Sequence, residues 1–154
     1  MAPDHPALRL KVEDSDDLAV LSACLQDALV AVRDLGFFVR ERRFIFIANR
    51  FRWESGSDRV PGEPGHERVL CAVTFSMVAG VSYRGFRRAE EDRILCLLAI
   101  RGSAGGSSDA AIVLDFAGAA AIRLDVARIS CRARDLGEPW PTPWRPRHEE
   151  DAAE

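Results

Sequence analysis

Five arginines, Arg40, Arg42, Arg43, Arg50 and Arg52, stand among Phe37, Phe38, Phe44, Phe46, Phe51 and Trp53 in the stretch FFVRERRFIFIANRFRWE. Guanidinium groups contact phosphates and aromatic rings stack on bases, so this composition is the chemistry of single-strand nucleic-acid binding. These five arginines are the one candidate binding surface that the residue types offer. Other reactive types are scattered. Cys24, Cys71, Cys96 and Cys131 form no CxxC pair and sit among apolar neighbours, which reads as buried free thiols. His5, His66 and His148 fall in a terminus, a loop and a tail, and neither set has metal-ligand spacing. The serines lie in SGSD, FSMV, VSYR, GSAGGSSD and ISCR, and none forms a GxSxG nucleophile elbow. GSAGG lacks the lysine and following helix of a phosphate-binding loop. Glu90, Glu91 and Asp92 are consecutive, so they diverge on any regular element and read as a solvated charge run. No catalytic, metal or cofactor residue is assigned, and no cofactor is expected.

The elements that must position the arginines follow from periodicity. Strand-period reading of 30–54 predicts a hairpin with its turn near Glu41–Arg42 and a second strand from Arg43 to Trp53. Ile45, Ile47, Asn49, Phe51 and Trp53 then share one face, and Phe44, Phe46, Ala48, Arg50 and Arg52 the other. On this reading Phe51 and Trp53 turn to the core and the guanidinium groups of Arg50 and Arg52 turn outward. Asn49, the one polar group on the inward face, is then a structural amide needing partners.

Upstream, LRLKVE alternates as a half-buried strand. Asp14 is the expected cap of a helix over 15–29, with Asp17 three residues on and leucines at helical spacing. Downstream, SGSDRVPGEPGHE reads as an exposed loop and Val69–Tyr83 as one long strand bent at Gly80. Ile94–Ile100 is apolar throughout, as in a strand covered on both faces. GSAGGSSD is a turn, and Ala111–Phe116 with Ala121–Val126 a hairpin. After a break near Ala127 comes a last strand. The fold class is α+β: one N-terminal helix and a twisted, largely antiparallel sheet of about seven to eight strands, possible as a partly open barrel. Residues 1–137 form a single domain and 138–154 an extended or disordered tail.

The 154 residues suffice for one domain with a core of its own. A net charge of -3 provides no global field for nucleic acid or an anionic membrane. No run approaches a membrane span, no leader is evident, and unpaired cysteines suit a reducing cytoplasm.

DLAVLSACLQDALV (17–30), NRFRWE (49–54), LLAI (97–100), FAGAAAIRLDV (116–126) and RDLGEPW (134–140), continued by Pro146 and His148, occur in an order that resembles a bacterial, mainly alphaproteobacterial family. It is known only as domain of unknown function 2948. The resemblance spans nearly the whole chain and implies no activity, cofactor or site residue. The leading reading is therefore a non-catalytic binding or interaction module, more a binder than an enzyme. Its partner would be an unknown protein or a second copy in a homodimer, because 69–83 and 94–100 offer more apolar surface than one helix can shield. Nucleic-acid (RNA) binding through the Arg-rich hairpin 40–52 is the alternative, and a small enzyme of unknown reaction the second alternative.

Overall fold

The computed structural model describes residues 7–53, 66–104 and 110–142. Ten strands form one sheet: β1 (Arg9–Val12), β2 (Leu29–Ala31), β3 (Gly36–Phe38), β4 (Arg43–Phe51), β5 (Glu67–Phe75), β6 (Val78–Arg84), β7 (Ile94–Ala104), β8 (Ala110–Phe116), β9 (Ala120–Val126) and β10 (Cys131–Pro141). Their order is β1-β10-β5-β4-β2-β7-β8-β9-β6, with β3 paired to β4 alone, and all pairings are antiparallel. The sheet is open, not a closed barrel. It has more strands than the expected seven or eight, because two short strands and a chain reversal carry no strong local signal.

That reversal divides the stretch 69–83. β5 ends at Phe75 and β6 begins at Val78, with Met77 between them at a left-handed φ of 61°. Neither glycine nor proline marks the turn, which hid it in the sequence. Ser76 N–H donates to Ser130 O at 2.8 Å and Val78 N–H to Arg42 O at 2.9 Å, anchoring it. Gly80 lies at a register shift between β6 and β9, the irregularity expected there. Because β5 is third in the sheet and β6 last, so short a link requires the sheet to curl strongly. The curl lets the inner faces of β4, β5 and β10 share one core with β7, β8 and β9. It covers the inner face of 69–75 from within the same chain.

α1 spans Ser15–Cys24, shorter than the expected 15–29. Its start is as read: Asp17 N–H donates to the Asp14 carboxylate at 2.8 Å, and Glu13 N–H to that of Asp17 at 2.9 Å. The end differs because Asp27 adopts a left-handed φ of 63° and the chain joins β7. Asp27 N–H donates to Leu97 O at 2.7 Å and Leu97 N–H to Ala28 O at 2.8 Å. Ala28 and Leu29 match the helical leucine spacing, yet they belong to this strand entry. Leu18, Leu21 and Leu25 are buried, each contributing about 2 kcal/mol by removal from water. Gly102 allows the helix to approach β7: a Cβ there would lie 3.0 Å from Leu18 Cδ2.

Between β2 and β3 a single 3-10 turn, Val32–Asp34, makes the kink read at Asp34–Gly36. The β3–β4 turn falls at 39–42 as expected, with Arg42 at φ 56°. Gly102–Ala104, read as part of a turn, continue β7, and residues 138–141, read as the start of the tail, continue β10. Most of the loop after Trp53 and the tail beyond Thr142 lie outside the described residues.

The β4 face assignment reverses. Its parity is as read, but Phe44, Phe46, Ala48 and Arg50 face the core, while Ile45, Ile47 and Asn49 are half-buried on the outer face. Arg50 and Arg52 are therefore buried and do not point outward. Both faces of β4 are apolar, and the group that makes an inward Arg50 tolerable lies far along the chain.

Candidate functional site

The core face of β4, β5 and β10 ends in a buried ion pair. In register, Ala48, Cys71 and Asp135 stand side by side, with Arg50 one step along. Arg50 Nε donates to Asp135 Oδ1 at 2.8 Å and Arg50 Nη2 to Asp135 Oδ2 at 2.7 Å. Leu8 N–H donates to the same Oδ2 at 2.8 Å, tying the entry to β1 into the pair. The side chains are 0% and 2% exposed, so both charges are matched by a bidentate contact instead of by water. Arg52 likewise reaches Glu67, Nη1 to Oε1 at 2.8 Å. The first pair joins β4 to β10 with neither side chain open to solvent, while Glu67 in the second is 34% exposed.

All four cysteines are free, with Cys71 and Cys131 buried and Cys24 and Cys96 partly so. Burial chiefly, then the Asp135 carboxylate against the opposing pull of Arg50, pushes the Cys71 thiol up to about 12. Burial also pushes Cys131 up. A thiol with a raised folded-state pKa adds stability that is complete below the ordinary value near 8.5 and lost as pH rises toward the folded value. Native protein should leave Cys71 and Cys131 unalkylated by iodoacetamide at about pH 8.5, and denaturant should expose both. Rapid modification of Cys71 in the folded state would contradict this placement.

Asn49 is partnered, as a structural amide should be: Arg68 Nη1 donates to both its Oδ1 and its backbone O at 3.1 Å. Arg68 also lies 6.0 Å from the Phe51 ring centre, and Phe51 contacts Trp53 edge-on at 4.7 Å. Burial lowers the Arg68 pKa, with Cys96 and Asp27 acting the other way.

The outer face is different. Cross-strand partners share a face, and the register builds two rows across four strands: Ile45–Thr74–Arg132–Lys11 and Ile47–Ala72–Arg134–Arg9. Arg43, one step beyond the first row, stands opposite Phe38. Together Arg9, Lys11, Arg43, Arg132 and Arg134 line a groove of about 880 Å³ with Thr74, Ser76 and Ser130. All five basic residues are exposed. Lys11 meets Glu13 at 3.0 Å, but the other four have no ion pair or side-chain hydrogen bond among the described residues. Like charges directly opposite destabilise a sheet, by under about 1 kcal/mol per pair in water. The register sets Arg9 opposite Arg134 and Lys11 opposite Arg132, and an anion in the groove would relieve both contacts.

Of the arginines singled out by sequence, Arg43 alone lines this groove. Arg40 and Arg42 are exposed in the adjoining turn, and Arg50 and Arg52 are buried in ion pairs. Four groove residues, Arg9, Lys11, Arg132 and Arg134, fall outside the arginine-rich stretch that residue types single out. Their signal is the alternation in RLKV and CRAR, which puts the cations of each strand on one parity. The remaining step, that β1 and β10 pair antiparallel with those parities aligned, is long-range and has no local mark. Among the described residues the groove lining contains no histidine, carboxylate or cysteine. Among the described residues no group of three or more His, Cys, Asp or Glu could hold a metal ion, and no helix is long and apolar enough to cross a membrane.

Fold and groove together define the class: an α+β protein built on a curled, open antiparallel sheet, with a cluster of cations on its outer face. The chain belongs to the family described as "Protein of unknown function (DUF2948)", which matches residues 8–148 and so bears out the resemblance read from the sequence motifs. No curated protein and no solved structure matches it.

Proposed function

We propose that this protein is a non-catalytic binding module whose outer groove holds a linear polyanion. The observation that carries this reading is the opposition of Arg9 to Arg134 and of Lys11 to Arg132 across β1 and β10, beside Arg43. The net charge of -3 makes that concentration local, so the groove attracts anions where the molecule as a whole does not. Three hydroxyl groups add donors to the cations, and the lining provides neither a base nor a nucleophile-activating group. This is the binding-module reading, carried by a set of cations that shares only Arg43 with the hairpin 40–52.

Calorimetric titration with long-chain inorganic polyphosphate at low salt tests it. Saturable binding by the wild type and several-fold weaker binding by Arg134→Ala are expected. Absence of binding at low salt, or equal binding by the variant, contradicts the groove as the site.

A further inference from the structure

We infer that the polyanion is single-stranded nucleic acid, held by its phosphates on the cationic rows and by a base stacked on Phe38; this rests on the groove reading above. The two flanks of the groove differ. Toward β1 and β10 stand Arg9, Lys11, Arg132 and Arg134, while toward β4 and β3 the same face presents Ile45, Ile47 and Phe38. Phe38 is 51% exposed, although large aromatic side chains usually bury most of their surface.

Phe38 is also held in place. A Cβ on Gly36 would lie 3.1 Å from Phe38 Cε2, so the ring rests over that glycine, where a larger residue would displace it. Its register partner is Arg43, a lining residue of the groove. An aromatic platform therefore stands directly beside a cation, on the sheet face that carries the further cations of β10 and β1. Single-strand binders combine these parts, a charged track for the backbone and a ring for a base.

The amphipathic cross-section selects among polyanions. A single strand has phosphates along one side and unpaired bases along the other, matching both flanks. A duplex hides its bases and would leave Phe38 and Ile45 uncovered. Inorganic polyphosphate or an acidic peptide would likewise use the cations alone. Arginine, which supplies four of the five cations, suits phosphate through its bidentate fork, and the recess suits a chain better than a flat bilayer. No residue of the groove reads base edges on this account, so weak sequence preference is expected.

Fluorescence anisotropy with labelled oligouridylate, competed by unlabelled polyphosphate and by polyglutamate, tests the inference. Phe38→Ala should weaken oligouridylate binding about tenfold and leave polyphosphate affinity unchanged. Phe38→Trp should restore or tighten oligouridylate binding. Since Phe38 is exposed, neither change should disturb folding. If Phe38→Ala binds oligouridylate as the wild type does while polyphosphate still binds, the nucleic-acid assignment is wrong and the groove reading stands. Polyglutamate displacing the oligonucleotide more effectively than polyphosphate would replace it with an acidic protein partner. Failure of all three polymers to bind removes the groove reading together with this one.

Discussion

Replacing Arg50 with alanine should unfold or nearly unfold the protein, at a cost of about 3–5 kcal/mol. The substitution leaves the Asp135 carboxylate 2% exposed and without its two guanidinium donors, and Leu8 N–H cannot neutralise it alone. A typical domain is stable by only about 5–15 kcal/mol, so this one change removes a large share. The double variant Arg50→Met with Asp135→Leu separates the cost of an orphaned charge from the worth of the pair. It should recover most of the lost stability, because exchanging a buried ion pair for apolar groups is often neutral or favourable. Urea denaturation of the three proteins makes the comparison. A single variant as stable as the wild type would mean that Asp135 finds water or another partner, and that Arg50 is not the structural group described here.

Charge reversal in the groove should have the opposite profile. Arg132→Glu combined with Arg134→Glu should abolish polyanion binding, by at least about 100-fold at low salt, since two contacts are lost and two repulsions added. Stability should stay level or rise slightly, because each new carboxylate faces a cation, Lys11 or Arg9, across β1 and β10. Binding residues that leave the fold better off when changed are the mark of a site kept for function. Thermal melting and anisotropy on the same sample distinguish the cases. A double variant that melts well below the wild type would show that the arginines serve the sheet and would undercut the reading.

The sequence and the structure agree where the signal is short-range. The Asp14 cap, the strand alternation from Arg43 to Phe51, the turn near Arg42 and the break before β10 all follow from residues within a few positions of one another. The misreadings share a cause. The parity of NRFRWE sends Arg50 outward, whereas its partner, Asp135, lies 85 residues away and nothing in that segment reveals it. The reversal at Met77 uses a left-handed residue where glycine or asparagine would have announced it. The groove depends on β1 from one end of the chain meeting β10 from the other, so its cations come together only in the fold. Density of arginine beside aromatics drew attention to 40–52, yet half of that density stabilises the core side of the sheet. Of the exposed remainder, Arg43 lines the groove and Phe38 stands opposite it, while Arg40 and Arg42 lie in the adjoining turn.

The most direct measurement is the salt dependence of oligouridylate binding by the wild type between about 50 and 200 mM salt. If the four unpaired cations and Lys11 contact phosphates, the logarithm of the association constant should fall linearly with the logarithm of salt concentration. The slope should be roughly -3.5, about 0.7 for each of five phosphates on a single strand, and the Arg132→Glu, Arg134→Glu variant should show no measurable binding. A slope near zero, or no binding by the wild type at the lowest salt, would contradict the claim that the outer groove is a polyanion site.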